Sequence, residues 1–228
     1  LHSFLTRRSS DLRFRMAGRT DAGVHALSQT FAVDVRAIHP YFLRILNSHM
    51  PGDMVAWAVA EVSEDFDPRR DALSRTYVYA MVCGEKHDFD VMRKCVKKLQ
   101  GIHDFSNFTK GFDGGRREVY RAELWRSGSL IYFEIEANAF TWNMVRCIVS
   151  ALKAVGRGDK SVEWFEKMLN PEIHKERIEP ASPYGLILKD VRYDVDFQVD
   201  DYSFSMVRKM FSKAAEYHGS IFGAMSVL

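Results

Sequence analysis

The chain has 228 residues, of which 46% are hydrophobic and 13% aromatic, and its formal net charge at pH 7 is +2. This length and composition are typical of a globular protein with a sizeable core, in one large domain or two small ones. The weak net charge does not by itself indicate a nucleic-acid partner. No apolar run approaches the roughly 18 residues of a membrane-spanning helix and no signal peptide is visible, so we expect a cytoplasmic protein without membrane association.

The first notable stretch is a loop of small residues at positions 17–26, with the sequence AGRTDAGVHA. One acidic side chain, Asp21, lies close to an arginine and between two glycines. Glycine lets a backbone bend tightly or approach a ligand closely. Apolar and other residues alternate over 31–35, which predicts a strand directly after the loop. The loop is therefore a candidate place for chemistry.

Two elements are predicted next, followed by a well-defined strand. Apolar residues at helical spacing predict a helix over 41–48, and residues 54–62 form a strand-like run. Residues 73–80, LSRTYVYA, have the β-branched and aromatic content of a strand. Arg75 and Tyr77 lie on the same face of this strand because alternate residues do.

The remaining chain is predicted to combine helices with one β-hairpin. The hairpin joins residues 118–126 to 129–137 through Ser127-Gly128. Helical spacing predicts helices over 88–100, 144–155, 161–169 and 202–228. In the second of these, Arg146 is angularly off the centre of the apolar stripe that begins at Met144. We assign no function to the last helix.

The cysteines and histidines form no metal-binding pattern. Cys83, Cys95 and Cys147 have no CxxC spacing, and the histidines have no HxxxH spacing. We expect neither a disulfide nor a metal site. Cys95 and Cys147 fall on apolar helix stripes, where a free cysteine usually behaves as a small buried hydrophobe.

Four stretches resemble one known family, the TruA-type tRNA pseudouridine synthases. Residues 18–26 match the family signature at nine consecutive positions. Residues 74–79 are similar to its S-R-T-Y-x-Y segment, and 137–146 are similar to A-N-x-F-x-x-x-M-V-R. Residues 180–188 resemble A-P-x-x-G-L-x-L, and the four stretches follow in the family's order.

This resemblance implies the roles of three catalytic residues. Asp21 is implied as the nucleophile, acting on either the ribose or the base, and Arg146 as its ion-pair partner. Tyr77 is implied to pack against the target uracil, and its phenol to assist removal of the proton at carbon five.

The resemblance also implies substrate-binding residues. Tyr77 belongs to this group as well, because it stacks on the base. Arg19 is implied to occupy the space or phosphate left by the extruded nucleotide, and Leu186 to line the base pocket. We place Arg75, on the same strand face as Tyr77, in the same group.

The fold and partners implied by the resemblance are specific. We expect an α+β fold with a mixed, largely antiparallel central sheet flanked by helices. Its two α/β halves, residues 1–86 and 87–228, are expected to enclose a central RNA-binding cleft. The implied substrate is the tRNA anticodon arm, at uridines 38 to 40, bound by a homodimer that needs no cofactor. Family members generally open with a strand and helix containing D-G-x-x-F-x-G-x-Q, which residues 1–12 do not resemble, so this start is expected to be truncated or diverged.

Two other functions are compatible with the residues themselves. A non-catalytic RNA-binding or RNA-folding protein could use the same scaffold after losing amino-terminal elements. A carboxylate-based hydrolase of nucleosides or glycosides would need a second catalytic acid, and no partner carboxylate stands out at a matching motif.

Overall fold

The computed structural model describes residues 14–35, 38–82, 87–111 and 115–225. Cys83 and the expected amino-terminal start at residues 1–12 lie outside the described residues. By contacts, the chain forms two units: the first combines residues up to Ala32 with Asp67–Asp194, and the second combines Val33–Phe66 with the residues from Val195 onward. These boundaries differ from the division after residue 86, which stays a prediction.

The elements of the described ranges are as follows. The strands are β1 (Arg15–Met16), β2 (His25–Ala26), β3 (Phe31–Ala32), β4 (Ala58–Val59), β5 (Ser74–Val82), β6 (Gly101–Asp104), β7 (Arg116–Ser127), β8 (Leu130–Ala137), β9 (Leu186–Arg192) and β10 (Gln198–Val199). The α-helices are α1 (Phe42–Asn47), α2 (Phe89–Lys97), α3 (Met144–Gly156), α4 (Val162–Met168) and α5 (Asp201–Met225). Single 3₁₀ turns cover Ser106–Phe108 and Pro183–Gly185.

The first unit is built on a six-stranded sheet in the order β2-β9-β5-β8-β7-β6. Its neighbouring strands are antiparallel except for β2 and β9, which are parallel. Tyr77 on the central strand β5 lies opposite Ile135 of β8 and Leu188 of β9. The predicted fold class, a mixed and largely antiparallel sheet flanked by helices, is confirmed.

One face of this sheet carries the core. Alternate residues of β8, including Phe133 and Ile135, are fully buried, as the period of two along a strand requires. They belong to one cluster with Met92 of α2, Ile148 of α3 and Phe165 of α4. Burying each such side chain contributes about 1.5–3 kcal/mol. Helix α3 is thus packed against the sheet through the core.

The sequence predictions for the helices and the hairpin are confirmed, the last helix as far as Met225, since residues 226–228 lie outside the described residues. Two strands are shorter than predicted. The alternation over 31–35 gives only the two residues of β3, and the run over 54–62 gives only those of β4. Each pairs with an equally short partner, β1 or β10, so no longer ladder can form. Cys95 and Cys147 are buried as expected, and burial raises the pKa of their thiols to about 11 and about 12.

The second unit is small and contains α1, α5, β4 and β10. The Asn47 side chain exchanges two hydrogen bonds with the backbone of Ala56, at 2.8 and 2.7 Å, and Trp57 packs on Phe204 at 5.2 Å between ring centroids. Asp200 accepts from the Ser203 amide at 2.8 Å, next to the start of α5. No helix within the described ranges is both long and apolar enough to cross a bilayer.

In the first unit, Glu176 anchors the loop that follows α4. Its carboxylate accepts from Trp164 at 2.8 Å, contacts His174 at 2.9 Å and accepts from Lys160 at 3.1 Å. These bonds, the one from Trp164 first, lower the pKa of Glu176 from its ordinary 4.5 to about 2. A carboxyl with a depressed pKa in the folded state stabilises the protein above its unfolded pKa, and this stability is lost as the pH falls through the folded value.

We therefore expect wild-type stability to decline between pH 4.5 and pH 2 more steeply than that of Glu176→Gln. The variant should be the less stable of the two at pH 6, and the two curves should converge near pH 2. Urea unfolding at several pH values measures the free energies. Parallel curves over this range would contradict the assignment.

Candidate active site

The loop that carries Asp21 is held at both of its ends. Beyond the paired strands β1 and β3, Ala17 donates its amide to Thr30 O at 2.9 Å, and the Gln29 amide group donates to Gly18 O at 3.0 Å. Between these ends, β2 joins the edge of the large sheet beside β9. Asp21 lies just before β2, so the sheet edge fixes where its carboxylate stands.

One glycine of this loop is required by geometry. Gly23 has a φ of +83°, a conformation that L side chains rarely adopt. A Cβ at this position would also lie 3.0 Å from Tyr184 Cε1 and 3.1 Å from Pro183 Cγ. By contrast, a Cβ at Gly18 would meet no atom within 4 Å. The loop therefore packs closely on the 180–188 stretch through Gly23.

Arg146, in the first turn of α3, forms an ion pair with Asp21. Its Nη1 atom lies 2.5 Å from Asp21 Oδ2, and the two side chains are 14% and 33% exposed. Its Nε donates to Ala181 O at 2.7 Å, while Ala181 N donates to the Arg146 carbonyl at 3.0 Å. A planar guanidinium that binds a carboxylate fixes the direction of that group.

Asn143 sets the start of α3 with an unusual backbone. Its φ of 65° and ψ of 8° are left-handed, and among the described residues it alone has a positive φ without being glycine. Its Oδ1 accepts from Arg146 Nη1 at 2.7 Å, so the same nitrogen serves Asn143 and Asp21. A left-handed residue costs about 1–2 kcal/mol, less for asparagine. The site keeps this conformation where the helix meets the ion pair.

Trp142 supplies the second donor to Asp21. Its indole Nε1 donates to Asp21 Oδ1 at 3.3 Å, although the residue is 60% exposed. Sequence reasoning missed both Trp142 and Asn143, because they occupy variable positions of the 137–146 motif. The signal in the sequence was a tryptophan followed by an asparagine, directly before the predicted helix.

Tyr77 lies on β5 with its ring against Phe140. The two rings meet edge to face, with centroids 5.0 Å apart and planes at 82°. Burial raises the pKa of the Tyr77 phenol, which the charge of Arg75 lowers and that of Asp21 raises. The Asp21 carboxylate is thus near enough to Tyr77 to raise the pKa of its phenol.

The other three predicted site residues have different surroundings. Arg75 donates through Nη1 to the carbonyls of Ala72 at 3.2 Å and Asn138 at 2.9 Å, and through Nη2 to that of Arg69. Leu186 is 5% exposed and belongs to the core cluster, and Arg19 is exposed in the Asp21 loop. The structure therefore brings Asp21, Arg146 and Tyr77 together, while the Arg75 guanidinium binds the backbone.

The reactive group available at this site is a carboxylate that two hydrogen-bond donors hold in place. Within the described ranges, no three histidine, cysteine, aspartate or glutamate side chains are placed to hold a metal ion. Asp21 has both an arginine and an indole as donors, and a third of its side-chain surface stays open. An oriented and accessible carboxylate is suited to nucleophilic attack.

Known proteins of similar sequence point to one family. Residues 95–194 match a family model described as tRNA pseudouridine synthase. The chain is 53% identical over 219 residues to the tRNA pseudouridine synthase A of Archaeoglobus fulgidus, a match that covers 94% of this chain and 81% of that protein. The chain belongs to the tRNA pseudouridine synthase A family. It is therefore an enzyme of the isomerase class, and the TruA-type resemblance is confirmed.

Further relatives carry the same name. The tRNA pseudouridine synthase A of Methanococcoides burtonii is 47% identical over 187 residues, covering 81% of this chain and 68% of that protein. That of Pyrococcus furiosus is 36% identical over 215 residues, covering 91% and 79%. A solved structure of a Cbf5-Nop10-Gar1 complex is 14% identical with a TM-score of 0.37, over 63% of this chain and 36% of that one.

Two substitutions at Asn143 distinguish the cost of its left-handed backbone from the contribution of its side-chain hydrogen bond. Asn143→Gly removes Oδ1 but tolerates the φ of 65°, whereas Asn143→Ala removes Oδ1 and keeps the steric cost of a Cβ. We expect Asn143→Ala to lower the free energy of unfolding by about 1 kcal/mol more than Asn143→Gly. Urea unfolding measures both. Equal stabilities would mean that the turn relaxes to a right-handed conformation in the alanine variant.

Proposed function

We propose that this protein converts uridine to pseudouridine in tRNA, with Asp21 as the nucleophile and without a cofactor. The observation that carries the proposal is the contact between Arg146 and Asp21, at 2.5 Å. Two stretches far apart in the chain meet there, and each matches a motif of the family. This contact supports the proposal, because it orients the carboxylate of the motif that resembles the family's nucleophile loop.

The proposed reaction rearranges one nucleotide without net oxidation or reduction. The bond between N1 of uracil and C1′ of ribose breaks, the base turns, and a bond from carbon five to C1′ forms. Carbon five loses its proton and N1 gains one, so atoms and charge balance. The step needs an ionised carboxylate that attacks either the ribose or the base, and Asp21 is suited to both.

Arg146 is proposed to hold the Asp21 carboxylate in a fixed orientation. A hydrogen bond to a charged group is worth about 1.5–3 kcal/mol when its partners are withdrawn from water. Arg146 is itself held, because Ala181 O and Asn143 Oδ1 accept from its other hydrogens. A guanidinium fixed in this way cannot swing away when the substrate enters. The carboxylate is therefore oriented before the RNA binds.

Tyr77 is proposed to receive the flipped uracil on its ring. Extruding a base costs a few kcal/mol, and stacking it on an aromatic ring returns about 1–3 kcal/mol. Phe140 packs against the Tyr77 ring at 5.0 Å and holds it in place. Because burial raises the pKa of the phenol, it stays protonated at neutral pH and can act on carbon five only by relaying a proton.

The finer substrate assignment rests on the family resemblance. We propose the uridines at 38 to 40 of the anticodon arm as targets, bound by a cytoplasmic homodimer through RNA shape and backbone contacts. Arg19 is exposed and suited to a phosphate, and Leu186 lies where β9 begins, opposite Tyr79 of β5. Arg75 is proposed to act on substrate through the strand that carries Tyr77, because its guanidinium already binds three carbonyls. Mass photometry of the assay mixture measures whether the protein is a homodimer.

The decisive experiment combines an unmodified tRNA transcript with Asp21→Asn. We expect wild-type protein to form pseudouridine at positions 38 to 40, mapped by mass spectrometry. Asp21→Asn should bind the transcript with similar affinity while turnover falls at least about a thousandfold, because the amide is no nucleophile.

Asp190→Asn is the matched control, since Asp190 is an exposed aspartate on β9. It should leave both affinity and turnover unchanged. Pseudouridine formed by Asp21→Asn would overturn the role of Asp21. Binding without modification by the wild-type protein would instead favour a non-catalytic RNA-binding function.

Tyr77→Phe tests whether the phenol takes part in the reaction. The ring remains, so we expect tRNA affinity to be kept, whereas the lost proton relay should lower turnover by about a hundredfold. Tyr132→Phe on β8, whose ring stacks on Trp125, is the control for losing a phenol elsewhere in the sheet. Wild-type turnover in Tyr77→Phe would remove the phenol from the mechanism and leave the ring as a stacking surface.

A further inference from the structure

We propose that Trp142 is a positioning residue for the reaction, because its indole N–H holds the carboxylate oxygen of Asp21 that Arg146 does not bind. This inference rests on the proposed role of Asp21 as the nucleophile. Trp142 Nε1 lies 3.3 Å from Asp21 Oδ1, while Arg146 Nη1 lies 2.5 Å from Oδ2. Among the described residues, each oxygen of the carboxylate thus has one donor.

Two donors fix the orientation of a carboxylate, whereas one donor leaves it free to rotate. The terminal torsion of an aspartate is broad, so a single hydrogen bond to one oxygen leaves the carboxylate free to rotate about its own axis. A second donor on the other oxygen fixes the plane of the group. An attacking carboxylate gains most when its plane is fixed before the substrate arrives, because misorientation is costly in rate.

The backbone around Trp142 is fixed, although its side chain is exposed. The Trp142 carbonyl accepts from Thr109 Oγ1 at 2.9 Å and from Lys110 N at 3.2 Å. The next residue, Asn143, has the left-handed φ of 65° and binds Arg146. The same tight turn therefore directs the Trp142 indole at Asp21 and, through Asn143, binds the guanidinium of Arg146.

The exposure of Trp142 is explained by this role. An indole that is 60% exposed contributes little to the core, yet its N–H is directed at a carboxylate. Kinetics distinguish a positioning role of the indole N–H from a stacking role of the exposed ring. Loss of positioning lowers kcat, whereas loss of a stacking surface raises KM.

The test is Trp142→Phe, which removes the N–H donor and keeps an aromatic ring. With the unmodified tRNA transcript, we expect kcat to fall about tenfold while KM stays within about twofold of wild type. A second variant carries the sulfur isostere of tryptophan at position 142, in which sulfur replaces the indole N–H. It has the ring shape of tryptophan and should show the same fall in kcat.

The chain offers a matched control in Trp164→Phe. Trp164 also donates its indole N–H to a carboxylate, that of Glu176 at 2.8 Å, but as part of α4 and its following loop. Its substitution should leave kcat and KM unchanged even if the melting temperature falls. A fall in kcat at unchanged KM in both Trp142 variants, absent from Trp164→Phe, supports the proposal.

Other outcomes overturn it. Wild-type kcat in either Trp142 variant would show that the indole N–H does not position Asp21, and a raised KM with unchanged kcat would make Trp142 an RNA-stacking residue. Asp21→Asn assayed in parallel distinguishes failure of the role proposed for Trp142 from failure of the role proposed for Asp21. If Asp21→Asn is inactive while Trp142→Phe matches wild type, only the role of Trp142 fails; if Asp21→Asn is active, the proposed function fails first.

Discussion

The ion pair between Asp21 and Arg146 is the contact on which the rest of the site depends. It joins a loop near the beginning of the chain to the first turn of a core helix. Each partner is fixed from its own side, Asp21 by a loop closed at both ends and Arg146 by the backbone of Ala181. An ion pair whose partners are both anchored loses less side-chain entropy than one between mobile side chains.

The apolar core makes this anchoring possible. Helix α3 is buried along Ile148 and its neighbours, so its first turn cannot shift without disturbing the sheet beneath it. The polar contacts of Arg146 and Asn143 are then built on the end of a rigid element. The site thus combines a stiff scaffold with a small, strained turn, and backbone strain of this kind clusters at functional sites.

The sequence predicted most elements and the central ion pair, for different reasons. The helices and the hairpin follow from the spacing of apolar residues, whereas the pairing of Asp21 with Arg146 followed only from the family resemblance. Spacing could place Arg146 off the apolar stripe but could not give its direction. The left-handed turn at Asn143 and the hydrogen bond from Trp142 to Asp21 were not predicted, because both depend on how variable positions of the motif pack in three dimensions. The length of β3 depended on its partner strand.

The parallel pairing of β2 with β9 has a consequence for how the enzyme folds. His25 lies opposite Ile187, so the strand next to Asp21 joins the sheet through residues from the far end of the first unit. The antiparallel strands β5, β7 and β8 are linked through a hairpin and nearer pairings. Contacts of large sequence separation carry a larger loop-closure cost. The pairing that places the Asp21 loop at the sheet edge can therefore form only after β9 has been synthesised.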